Sequence, residues 1–91
     1  MSKEVYIVQI LVDRINNKLV ATPIVVHTIL VGEYEHSYVV QRSLTNGHLK
    51  QVQKSWLFYD EASAQEYIAN NREYLESQCD DIIEAMERNW S

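Results

Sequence analysis

Apolar and polar positions along this chain follow two different rules. Through residue 59 the apolar side chains come in β-branched runs separated by short polar pairs; beyond it they recur at intervals of three, four or seven. The first pattern is that of strands and the second that of an amphipathic helix. Residues 5–12 (VYIVQILV) predict a strand that is apolar on both faces apart from Gln9. Asn16 and Asn17 follow, and paired asparagines tolerate the positive φ values of a tight hairpin turn. Residues 18–31 (KLVATPIVVHTILV) predict the second strand. Pro23 cannot donate to a ladder, so this strand must bulge there or run along an edge. Gly32 and Glu33 mark the next turn, leading into a strand over residues 34–44. Asn46-Gly47 is the strongest hairpin signal in the chain and joins it to a strand over 49–58. The economical sheet is a four-stranded antiparallel meander.

The helix is predicted over residues 60–90. Asp60 is placed to cap its first N–H groups, and Ser63 with Glu66 forms a second, later capping box. Ala64, Ile68, Leu75, Cys79, Ile82, Met86 and Trp90 share one face, flanked by Tyr67 and Tyr74. Glu66, Glu73, Glu76, Asp80, Glu84 and Glu87 make a nearly continuous acidic row on the other. Asn70 with Glu73 also has capping-box spacing, which allows a kink near Asn70-Asn71. The apolar stripe nevertheless keeps its phase from Ile68 to Leu75, favouring one helix, bent there. The predicted fold is therefore α+β: a single domain over 1–91, with a sheet in 1–59 and a long C-terminal helix in 60–90.

Two geometric difficulties follow. A straight helix over residues 60–90 would run about 46 Å at 1.5 Å per residue. A compact domain of this length is only about 30 Å across, so the C-terminal end should overhang the sheet. That end carries Ile82, Ile83, Met86 and Trp90, an apolar group that water should not surround. Secondly, strands apolar on both faces cannot be covered by one helix on one face. A homodimer using Ile82, Ile83, Met86 and Trp90 answers both; a strongly curled sheet or a helix that folds back is the single-chain alternative.

Charge sharpens the picture. Residues 60–91 hold nine of the thirteen acidic residues and carry a net −7, while residues 1–59 carry +2, giving the overall −5. Any electrostatic partner surface thus belongs to the helix. The single cysteine, Cys79, leaves no internal disulfide and no cysteine-based zinc site, and its place on the apolar face reads as a buried small hydrophobe. No apolar run approaches ~18 residues, and the start lacks the pattern of a signal peptide, so no membrane contact and a cytoplasmic setting are expected.

Catalytic signatures are missing from the sequence: the two glycines stand alone, and His27, His36 and His48 fall on separate elements. Solvated, mutually repelling carboxylates suit acid–base catalysis poorly. No enzyme activity, metal or cofactor is expected. Three interaction readings remain. The acidic row could dock on a basic, nucleic-acid-binding surface of a protein partner, imitating a phosphate backbone as small phage and mobile-element inhibitors do; the plain alternative is a solvated helix face. Arg42, Lys50, Lys54 and Trp56 could instead bind nucleic acid through the sheet. In topology alone, strands followed by one helix resemble the small arm-binding domains of phage integrases, a resemblance that implies the same nucleic-acid role. The third reading is a dimerising adaptor in a larger assembly.

Overall fold

The computed structural model describes residues 3–43 and 46–90. It is an α+β structure: an antiparallel sheet followed by two helices. The strands are β1 (Lys3–Ile15), β2 (Lys18–Glu33), β3 (Ser37–Ser43), β4 (Asn46–Gln53) and β5 (Leu57–Phe58), and the helices α1 (Glu61–Asn70) and α2 (Arg72–Trp90). The expectation of four strands and one helix is thus corrected to five strands and two helices among the described residues.

β1 and β2 pair without a register shift from Lys3 opposite Leu30 to Ile15 opposite Lys18. Their turn places Asn16 and Asn17 at φ 53° and 65°, the left-handed region that asparagine enters more easily than most residues. Pro23 sits opposite Ile10 with no bulge, and the β2–β3 pairs recorded among the described residues lie between Leu30 and Glu33. Pro23 thus takes neither expected course: β2 has no bulge there and is an interior strand of the sheet, and Pro23 falls outside the stretch where pairing with β3 is recorded. Gly32 and Glu33 end β2 rather than forming a turn; the reversal comes just after, where the Tyr34 N–H donates to the Ser37 carbonyl at 2.8 Å. The buried Thr28 hydroxyl donates to the Gln41 carbonyl and ties β2 to β3. Asn46 and Gly47 open β4, with Ser43 opposite Asn46, and residues 44–45 before them lie outside the described residues.

The stretch expected to be a fourth strand divides. β4 stops at Gln53, a 3-10 turn occupies Lys54–Trp56, and β5 pairs with β1, placing Phe58 opposite Tyr6 and Leu57 opposite Ile7. The strand order β4-β3-β2-β1-β5 puts these two neighbours in sequence at opposite edges of the sheet. In a flat sheet those edges lie about 19 Å apart, four steps of ~4.8 Å. Four residues of chain from Gln53 to Leu57 reach at most ~14 Å. The sheet therefore curls until its edges approach one another.

Curling supplies the cover that one helix could not. Val5 and Ile7 on one face of β1 pack in a core with Val40, Val52 and Leu57, joined by Val26, Leu30, Tyr38 and Trp56. Val8, on the opposite face, is buried as well. That second face is the helix side: Phe58, across from Tyr6, meets the Tyr67 ring of α1 at 5.4 Å. Among the described residues, Ala64, Leu75 and Cys79 are the buried ones of the helical layer.

Asp60 is the N-cap of α1: its carboxylate accepts from the Ser63 N–H at 2.7 Å and from the Ser63 hydroxyl at 2.9 Å. Asn71 then interrupts the helix. Its backbone N–H and its side-chain amide both donate to the Tyr67 carbonyl, at 3.0 and 2.9 Å, closing α1. Its own carbonyl accepts from Leu75 at 2.9 Å and opens α2. With 19 residues, α2 is about 28 Å long, so no ~46 Å helix exists to overhang the sheet. The molecule is still elongated, at 44 × 29 × 26 Å. The far end of the β1–β2 hairpin lies beyond the reach of β3 and β5, and there Leu11, Ile15 and Val20 are exposed on one face.

Candidate protein-interaction surfaces

The acidic row is placed as the periodicity implies, but the break at Asn71 divides it. Glu66 belongs to α1; Glu73, Glu76, Asp80, Glu84 and Glu87 belong to α2, and all six are exposed. At 100° per residue the five on α2 fall within roughly 80° of arc and extend about 21 Å along the axis. Leu75 and Cys79, buried on the inner side of α2, hold this stripe on a packed element. Elsewhere in the fold, ion pairs join His27 to Glu4, His36 to Glu35 and Lys54 to Glu33. The stripe's field reaches inward: burial first, then the Asp80 and Glu76 charges, push the Cys79 thiol above its ordinary pKa. Such a thiol is a packing group, as its place on the apolar face implies.

Ile82, Ile83 and Met86 are half-buried, so the apolar end of α2 is partly covered within its own chain. Trp90 closes α2; its side chain is outside the described set.

Of the residues read as a nucleic-acid face, Lys54 and Trp56 are engaged within the chain. Lys54 stands in the 3-10 turn, where its amine meets Glu33 Oε2 at 2.7 Å and lies 5.2 Å from the centre of the Tyr38 ring. The hydrogen bond to Glu33 raises the Lys54 pKa. Trp56 is half-buried against the core and donates its indole N–H to the Tyr67 hydroxyl at 3.1 Å. Lys50 lies opposite the buried Val40 and is half-buried itself. Arg42 is on β3, with its side chain outside the described set. The histidines stay apart. His27 stacks on Tyr6 at 4.7 Å and meets Glu4 at 3.3 Å, while His36 and His48 are exposed on other strands and turns. No group of three metal-ligating side chains occurs among the described residues, and no helix there is long and apolar enough to cross a membrane.

One further surface escaped the sequence pattern. β5 pairs with β1 at Tyr6 and Ile7 and the 3-10 turn lies alongside, so no strand partner is recorded on that side of Val8–Ile10 among the described residues. The curl brings the outer edge of β4 around to face it. Between them lies a half-open cleft of about 280 Å³, lined by Gln9, Gln51, Val52 and Trp56, and flanked by Gln78 and Ile82 of α2. Its only trace in the sequence is the polar–apolar alternation Gln51, Val52, Gln53, which looks like any half-exposed strand.

Comparison with known protein families, with curated protein sequences and with solved structures finds no match to this chain.

Proposed function

We propose that this chain is a non-enzymatic protein-interaction module whose α2 stripe docks on a basic, nucleic-acid-binding surface of a partner protein, in the manner of a small phage- or mobile-element-type inhibitor. The observation that carries this reading is the exposed line of Glu73, Glu76, Asp80, Glu84 and Glu87 on a helix anchored by Leu75 and Cys79. Successive carboxylates three and four residues apart are about 5–6 Å from one another, close to the phosphate spacing along a nucleic-acid strand. The geometry favours this over nucleic-acid binding through the sheet, because Lys54 and Trp56 are already committed to Glu33 and Tyr67.

The test is capture of partners from lysate by the wild-type chain and by the triple reversal E73K/D80K/E84K. The reading expects a partner that binds nucleic acid, leaves the wild-type chain at high salt, is displaced by duplex DNA and is not captured by the triple variant. Equal capture by both chains refutes it.

The dimerising-adaptor reading draws support from a separate observation, the exposed Leu11, Ile15 and Val20 on one face of the projecting hairpin. It expects a light-scattering mass of twice the chain that persists at high salt and falls to one chain in L11E/I15E. A monomer at high micromolar concentration excludes it.

A further inference from the structure

The cleft between β1 and β4 has a chemistry that the α2 stripe does not use. Two strands bound it, and each has a side with no strand pairing recorded among the described residues: β1 beyond Ile7, where β5 has ended and the 3-10 turn lies alongside, and β4 on the side away from β3. A strand edge is a row of backbone donors and acceptors with one natural complement, another extended main chain. The side chains around the opening agree with that complement. Gln9, Gln51 and Gln78 bring amides that both donate and accept, the same two functions that every peptide unit needs. Val52, Ile82 and the half-buried Trp56 offer apolar contact for the side chains of a bound segment. The one charge lining the cleft, that of Lys50, is positive. The space is about 280 Å³, slightly below the ~300 Å³ where small-molecule pockets begin, and it is half open rather than enclosed. These features suit a short stretch of chain laid along the opening better than a compact ligand.

We infer that this cleft receives an extended polypeptide segment of a partner, which pairs by its main chain with these sides of β1 and β4 and carries an acidic side chain toward Lys50. The site is separate from the α2 stripe, so the two can succeed or fail independently.

The probe is a displayed random dodecapeptide library panned against the full chain. Enriched peptides should alternate apolar and polar residues around an acidic one. Methylating alternate backbone nitrogens of a selected peptide should weaken it by roughly tenfold or more, because main-chain hydrogen bonds are lost with the protein unchanged. Gln78→Trp, which fills the cleft from the helix without touching either strand, should weaken binding to a similar degree. The triple reversal E73K/D80K/E84K should bind within about twofold of wild type, since its changes lie on the outer face of α2. Failure to enrich peptides overturns the inference, as does binding that survives both N-methylation and Gln78→Trp. A dimer that Gln78→Trp dissociates also overturns it, because the cleft would then hold a second copy of this chain.

Discussion

At the scale of single residues, Trp56 and Tyr67 join the two halves of the fold. The indole N–H lies in the turn that carries the chain from one sheet edge to the other, and the hydroxyl it meets at 3.1 Å belongs to α1. Replacing either Trp56 or Tyr67 with Phe should cost about 1 kcal/mol through this bond, plus the packing lost by the smaller ring at 56. In a urea double-mutant cycle, W56F/Y67F should fall short of the sum of the single changes by about 1 kcal/mol; strict additivity would show that the bond contributes nothing. Cys79 gives a second test. Its folded pKa is raised, so folding favours the protonated thiol. That contribution is fully present below the unfolded thiol pKa of about 8.5 and is lost as pH climbs through the higher folded value. Reaction with a disulfide reagent at pH 8 should thus be slow in the folded chain and speed up on adding urea. Equal rates in both states would place the thiol outside the core.

Elements are where sequence and structure part company. The first hairpin was fully legible: two asparagines between β-branched runs, and an Asn-Asn turn with both φ values positive. Asn17→Gly should stabilise the chain by a few tenths of a kcal/mol, since glycine accepts that φ without strain. Asn17→Val should destabilise it by about 1 kcal/mol or more; a thermal melt unmoved by both would show that the turn is not formed as described. The fourth strand was not legible in the same way. The run over residues 49–58 passes for one strand, and only the need to reach the far edge of a curled sheet breaks it at Lys54–Trp56. That need depends on strand order, which no local pattern encodes. The helix break was hidden for a different reason. Asn71 still offers its carbonyl to Leu75 as a helical residue would, so Ile68 and Leu75 keep the spacing of an unbroken stripe. Periodicity does not register a one-residue interruption; the Asn70-Asn71 pair did. The acidic row was legible because exposure on a helix follows from spacing, whereas the cleft arises only once β4 has come round to face β1.

For the molecule as a whole, the open question is why one face of α2 should carry so much charge of one sign. Glu76–Asp80 and Asp80–Glu84 are like-charge pairs at four-residue spacing, an arrangement that destabilises an exposed helix by about 0.2–0.5 kcal/mol per pair. Domains this small have little stability to spare, and here Leu75 and Cys79 supply the buried anchors of α2. A face that merely needs solvating would do as well with mixed charges. Asp80→Lys discriminates between these possibilities, because it turns both repulsive pairs into attractive ones, with Glu76 in the favourable N-terminal position. It should raise the urea midpoint by the equivalent of about 1–2 kcal/mol at low salt, and most of that gain should vanish at 1 M salt, where the Debye length is about 3 Å. A gain of this kind means that the native stripe holds its charge against the interest of the fold, which is what a docking surface for a basic partner requires. A loss on Asp80→Lys means that the carboxylate supports α2 directly, and the stripe then needs no partner to account for it.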